Sequence, residues 1–289
     1  ERIHVSFAAD VAQRPPAELP ADYARAAHPI GLSDDEIRAW RAASAEMFLP
    51  YDDDLGIHEQ DDSFLSKKPW DFANTPQESY PLLLNYPYFD LYRKQVVKQA
   101  DLVMAMLVRG EAFSAEQKAR NFAYYEPLTV RDSSLSACVQ AVLAAETGHL
   151  ELAYDYLGEA ALMDLDDLEH NSRDGLHIAS LAGAWIAAIC GFAGLRDHEG
   201  AMRFAPRLPM RLDRLAFRLS FRGRRIRVEV THAGTKDTLL GGDPVTFHHF
   251  DEEVELTADG LEFGPAGPVE PPPEPVQQPP HRAPLKRRP

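Results

Sequence analysis

The chain has 289 residues, of which 45% are hydrophobic and 26% charged, with a formal net charge of −15. This size allows one large domain or one medium domain with an appendage, and the composition is that of a globular chain. An acidic surface argues against nucleic acid and anionic membrane as partners, because phosphate backbones and headgroups need clustered Lys and Arg. No stretch approaches the roughly 18 consecutive apolar residues that span a bilayer.

The start, Glu1-Arg2-Ile3-His4, has no basic region followed by an apolar run, so no secretory signal is read. Residues 1–32 are rich in Pro and Ala without clear periodicity and are expected to be irregular. Ser33-Asp34-Asp35-Glu36 is a capping box that opens a helix to about Phe48. Residues 50–87 read as a long loop punctuated by Tyr51, Phe64, Trp70, Phe72, Tyr80 and Tyr86, whose aromatic content argues against disorder.

From Tyr88 to Leu107 apolar residues recur at three and four, which predicts a core-facing helix. A second capping box at Ser114-Ala115-Glu116-Gln117 starts a helix that runs to about Tyr125 and ends at Pro127. Further helices are predicted over Ser133–Thr147, Leu150–Met163 and Leu176–Leu195, with Gly110, Gly148 and Gly194 where C-caps are needed. Six amphipathic helices in this order predict an αα-hairpin array, such as a bundle or an (α/α) barrel. Cys138 and Cys190 lie inside apolar helical runs without metal-like spacing, which reads as buried thiols in a reducing compartment, the cytoplasm.

The period changes from helical to alternating after Arg203. Leu215–Phe221 and Ile226–Val230 alternate strictly around Gly223, a hairpin signal, and shorter strands are predicted near Asp237–Leu240, Val245–His249 and Glu253–Leu256. From Pro265 onward ten of 25 residues are Pro, which predicts a disordered basic tail. The expected divisions are therefore 1–32, 33–203, 204–262 and 263–289.

Several stretches could carry chemistry. At Asn171–Gly183 a polar loop with Gly175 leads into a helix start with His177 and Ser180 three residues apart, on one face. Free N–H groups there favour an anion, although an ordinary capped helix start explains the same pattern. Thr129–Ser136 offers Asp132 or Ser133 as N-cap and Arg131 as an anion clamp. Lys98 and Gln99 interrupt an apolar face and could hydrogen-bond a polyol, or Lys98 could simply reach solvent. Gly56–Phe64 sets acids beside aromatics, as a sugar subsite does, or forms an acidic surface loop. His248-His249 reads as a surface pair rather than a metal site, and no nucleotide or metal motif is present.

In register, the segments LPYDDDLGIHEQDDSFL, WDFANTPQESYPLLL, YRKQVVKQADLVMAM, NFAYYEPLTVRDSSLS and DGLHIASLAGAW, continuing through GFAGLRD into LSFRGRRIRVEVT, resemble glycoside hydrolase family 65 over about residues 33–256. The resemblance implies the C-terminal half of an (α/α)6 barrel, a mainly α architecture, followed by a small antiparallel β domain. It implies inverting phosphorolysis of trehalose, maltose or kojibiose to β-glucose 1-phosphate and glucose. Phosphate would be the co-substrate, with no other cofactor and no metal. By resemblance, His177 and Ser180 bind phosphate with help from Ser133 and Ser134, and Lys98 and Gln99 hold the sugar. The family's acid Glu belongs to a Gly-Pro-Asp-Glu-Tyr-like motif that this sequence lacks, so no catalytic acid is assigned within it. Arg131 stands where many members are expected to have His. The alternatives are a hydrolase using water, for which Glu169 lies near the loop, and an inactive remnant. Self-association through an exposed barrel face is expected.

Overall fold

A computed structural model describes residues 2–13, 20–269 and 273–286. It divides into two compact units, residues 1–50 and 51–289. In the first, α1 (Arg2–Gln13), α2 (Pro20–Ile30) and α3 (Asp34–Glu46) are helices, so the expectation of an irregular N-terminal segment is corrected. Ala9 and Ala12 of α1 are buried against Ile37 of α3, with Leu32 and Trp40 alongside. The spacing of Val5, Ala9 and Ala12 is helical, and Ala is the best helix former. Ser33 caps α3 as expected, accepting the Glu36 N–H at 3.2 Å.

The second unit begins with the aromatic segment, a chain of single turns and two-residue strands rather than long elements. It is anchored by its polar groups. His58 N–H donates to Asn121 Oδ1 at 2.9 Å, Tyr125 Oη donates to His58 O at 2.7 Å, and Trp70 Nε1 donates to Thr75 Oγ1 at 2.9 Å. Five helices follow: α4 (Asp101–Val108), α5 (Ala115–Tyr125), α6 (Ser136–Glu146), α7 (Leu150–Ala161) and α8 (Ile178–Ile186), the last continuing in wider turns over Ala187–Phe192.

The predicted helix over Tyr88–Leu107 is not continuous. A single turn at Tyr88–Leu91 gives way to extended chain through Lys94–Gln95, and the helix starts only at Asp101. Extended backbone suits the β-branched pair Val96-Val97. There it gains a non-local partner, since Val97 pairs with Thr129 in a parallel bridge.

Packing contacts join α4 to α6 and α6 to α8, while α5 and α7 pack outside them. Residues 136–145 of α6 are buried on all sides, as an inner helix must be. Helix α6 turns into α7 through Gly148, at φ +92°. Gly110 does not form the expected left-handed cap. It opens a short turn where a Cβ would come within 2.9 Å of His198 Nε2, so the position requires room.

The chain switches to strands at β1 (Arg203–Phe204), then β2 (Arg214–Phe221), β3 (Arg224–Thr231), β4 (Gly234–Gly241), β5 (Val245–His249), β6 (Glu252–Leu256) and β7 (Leu261–Phe263). They form two sheets, ordered β7-β4-β3-β2 and β6-β5-β1, antiparallel except for β1 with β5. The β2–β3 hairpin pairs Phe217 with Val228 and turns through Arg222 and Gly223, both at positive φ, as a two-residue hairpin requires. Ile226, Val228 and Val230 of β3 join Val245, Phe247, Leu256 and Phe204 in one buried core. His249 is buried and stacked on Phe263 at 3.6 Å, which corrects the surface-pair reading.

The Pro-rich tail, expected to be disordered, is also corrected. Its described part docks on the helices, with Gln278 Nε2 donating to buried Glu126 Oε1 at 3.0 Å. Such a segment cannot bury a core of its own. Proline lowers the entropy lost on docking to a surface made by other elements. Among the described residues no helix is long and apolar enough to cross a membrane.

Candidate functional site

Residues 97–100 and 128–136 meet at one rim of the helical array. Val97 N–H donates to Leu128 O at 2.9 Å, and Val130 N–H donates to Val97 O at 2.9 Å. These bonds set Lys98 and Gln99, at the entrance to α4, beside Arg131 and Asp132 ahead of α6. Ala100 N–H donates to Ser136 Oγ at 3.4 Å, tying the two helix starts together. On the other side of α6, a Cβ at Gly183 of α8 would meet Cys138 Sγ at 2.6 Å. Gly183 therefore admits a neighbouring helix rather than a ligand. That close crossing packs the first turn of α6 against the second turn of α8. Ser133 and Ser134 precede one, and His177 precedes the other.

Lys98 and Gln99 thus lie at the start of α4 beside the loop that carries Ser133 and Ser134 into α6, and His177 immediately precedes α8. Backbone N–H groups at such starts lack intrahelical partners, and the helix dipole there favours negative charge.

His177 is held firmly. Its Nδ1 lies 2.6 Å from Asp164 Oδ1, and its backbone N–H donates to Asp164 Oδ2 at 2.9 Å. The hydrogen bond from His177 keeps the Asp164 carboxyl below the usual carboxylate range. With Nδ1 occupied, Nε2 is the ring nitrogen left to face a ligand, and it donates to an anion when the ring is doubly protonated.

Ser180 is placed differently from its expected role. Its side chain is fully buried and its hydroxyl donates to Ala160 O at 3.2 Å, fastening α8 to the end of α7. A three-residue spacing puts it near the His177 face, yet that part of the turn looks into the protein.

Gln99 Nε2 donates to Asp101 Oδ1 at 2.7 Å, and Lys98 is exposed. A cavity of about 270 Å³ opens beside Lys98, with Gln60, Asp61, Tyr88, Tyr92 and Asp132 among its walls. The acidic-aromatic segment therefore reaches the rim. Burial would raise the Asp61 carboxyl, but hydrogen bonds from Lys67 and Ser63 outweigh it and hold the group below its ordinary range.

Asp132 is not the N-cap of α6. Its Oδ2 accepts from Leu83 N–H at 3.2 Å, and burial pushes its carboxyl upward. Arg131, considered as an anion clamp, is likewise used internally. It is buried, its Nε donates to Glu159 Oε1 at 2.9 Å, and its backbone takes φ +54°. That conformation costs a non-glycine residue about 1–3 kcal/mol, which surrounding contacts must offset. Behind it Tyr156 Oη donates to Glu126, and Gln140 Nε2 donates to the same carboxylate at 2.8 Å.

A second cavity of about 270 Å³ lies between Tyr80, Arg131, Glu159, Glu169 and the tail residue Arg282. Burial raises the Glu169 carboxyl, and both Arg282 and His177 act on its charge. Among the described residues no group of three or more His, Cys, Asp or Glu side chains could hold a metal ion.

Sequence reasoning missed Asp164 and Arg282. Asp164 sits in a run with Asp166, Asp167 and Glu169, and nothing in that run marks which acid returns to His177. Arg282 lies in a segment whose composition pointed to disorder. On the open side of α8, Ile178, Leu181, Trp185 and Ile186 form an exposed apolar stripe.

Residues 4–186 match the family model described as the glycosyl hydrolase family 65 central catalytic domain, and residues 195–256 match that of the family's C-terminal domain. An uncharacterized glycosyl hydrolase of Mycobacterium leprae is 51% identical over 91% of this chain and 33% of its own length. The alpha,alpha-trehalose phosphorylase of Thermoanaerobacter brockii is 39% identical over 88% of this chain and 33% of its own. A solved structure described as a putative kojibiose phosphorylase from human microbiome superposes with TM-score 0.81 at 25% identity, covering 91% of this chain and 36% of that one. The chain thus spans about a third of the length of these relatives.

Proposed function

The chain belongs to glycosyl hydrolase family 65, and from that premise we propose that it carries the phosphate- and sugar-holding side of an inverting α-glucoside phosphorylase site. The substrate class is an α-glucosidic disaccharide (trehalose, maltose or kojibiose), and the products are β-glucose 1-phosphate and glucose. The supporting observation is His177, braced by Asp164 at the start of α8.

In this reading inorganic phosphate sits against the starts of α6 and α8. Nε2 of His177, the Ser133 and Ser134 hydroxyls and free backbone N–H groups share its charge. Ser180 serves indirectly, by holding the first turn of α8 against α7. Lys98 and Gln99 hold hydroxyls of the glucosyl unit whose anomeric carbon is attacked. A phosphate oxygen forms the new bond from the face opposite the glycosidic oxygen, which departs with a proton, so the configuration inverts. The proton donor is not assigned to any residue of this chain.

The three disaccharides, each incubated with the chain with and without phosphate, test the reading. Any glucose 1-phosphate released should require phosphate, at a rate about 10²–10⁴-fold below that of a site with its general acid. Glucose released equally well without phosphate would overturn the proposal in favour of hydrolysis, with Glu169 as the candidate base. The stripe of Ile178, Leu181, Trp185 and Ile186 is the surface through which self-association would occur. A mass that stays monomeric at all concentrations would remove that part.

A further inference from the structure

The tail crosses the rim of the proposed site at one residue. Arg282 Nε donates to Val130 O, and its Nη2 donates to Arg131 O at 2.8 Å. Arg131 Nη2 returns a hydrogen bond to Arg282 O, so loop and tail hold each other through backbone carbonyls on both sides. The Arg282 guanidinium also lies 3.8 Å from Asp132 Oδ1, an oxygen with no hydrogen-bond partner, and 5.5 Å from the Tyr80 ring. Gln278, four residues earlier, anchors the tail on buried Glu126.

These contacts converge on residues 130–132, immediately before Ser133 and Ser134. The loop has no cap of its own at this point, because Asp132 is turned toward Leu83 and the residue preceding α6 makes no side-chain cap. A planar guanidinium is suited to this place, since it can serve two carbonyls and face a carboxylate at once.

We propose that the C-terminal tail is a working part of this site and that Arg282 is its positioning residue. It fixes the loop bearing Ser133 and Ser134 and balances the Asp132 charge where phosphate would bind. The proposal rests on reading that loop as phosphate-facing. It adds that a segment about 150 residues distant in sequence, the separation of the hydrogen-bonded pair, sets the loop's conformation.

The test compares the full chain with Arg282→Ala and Arg282→Lys. Inorganic phosphate is titrated well below the melting temperature and followed by ³¹P line broadening, and amide hydrogen exchange is measured over residues 129–136. Arg282→Ala should weaken phosphate about tenfold, the effect of one charge-assisted hydrogen bond, and should speed exchange in that loop. Arg282→Lys should recover less than half of the lost affinity, because one ammonium cannot span both carbonyls. Unchanged affinity in Arg282→Ala, or full recovery in Arg282→Lys, would overturn the positioning role. If the parent chain binds no phosphate, the phosphate reading fails, and the exchange measurement decides the loop clamp alone. Exchange in Arg282→Ala equal to that of the parent would then sink it.

Discussion

Asp237 should make this protein less stable as the pH rises toward neutrality. It lies on β4 between the two sheets, fully buried, and both carboxylate oxygens lack a hydrogen-bond partner. Burial alone pushes its pKa from 3.8 to about 7. The folded protein therefore keeps a proton that the unfolded chain releases near pH 3.8, so this group's contribution is complete at low pH and is lost as pH climbs through about 7. Each unit costs about 1.4 kcal/mol, giving a full span of about 4 kcal/mol. His249 works in the opposite sense. Burial lowers its pKa from 6.5 to about 4, so its contribution is present above 6.5 and lost as pH falls. Between these limits the two slopes oppose each other in the parent protein.

Asp237→Val removes one of them while supplying a residue suited to a buried strand. Urea unfolding of parent and variant at intervals from pH 5.5 to 8.5 isolates the Asp237 contribution from every other titrating group. The stability gap should widen in favour of the variant by about 2 kcal/mol between pH 5.5 and 7, and then level off. Parallel profiles, with a constant gap, would refute the assignment of a protonated, unpartnered Asp237.

Two further predictions concern the rim. Asp164→Ala should free the His177 ring and weaken inorganic phosphate on the order of tenfold in a ³¹P titration, while the far-ultraviolet dichroism stays that of the parent. Equal affinity would mean that the Asp164 brace is irrelevant to the anion. Gly183→Ala places a methyl group where Cys138 Sγ stands, 2.6 Å away, and should cost about 1–3 kcal/mol in guanidinium unfolding by prising α8 from α6. An unchanged midpoint would show that the two helices do not cross this closely.

Local chemistry made much of the fold legible before the structure. The Ser33 and Ser114 caps, the helices at 150–161 and 178–192, and the Gly223 hairpin all depend on neighbours within a few residues. Features fixed by distant partners were not legible. Lys98 and Gln99 lie on a bend ahead of α4 rather than within a helix, because Val97 pairs with Thr129, a bond that three- and four-residue periodicity cannot reveal. The first helices are hidden because the segment mixes Pro with Ala, which act oppositely within a helix. In the tail, a high proline content fits disorder but equally lowers the cost of docking.

For the site, the N–H groups and His177 at the helix start near 177 fit either an anion site or an ordinary capped helix start. Its assignment to phosphate came from the family resemblance. Which face of that turn looks outward was not readable, and Ser180 is the consequence.

We propose that the starts of α6 and α8 form a phosphate site. Its most direct test is a ³¹P titration of the full chain against His177→Ala and the double variant Ser133→Ala/Ser134→Ala. Binding should be saturable and should fall about tenfold or more in each variant, because each loses a donor to the anion. Binding that is absent in the parent, or unaltered when His177 is removed, would contradict it.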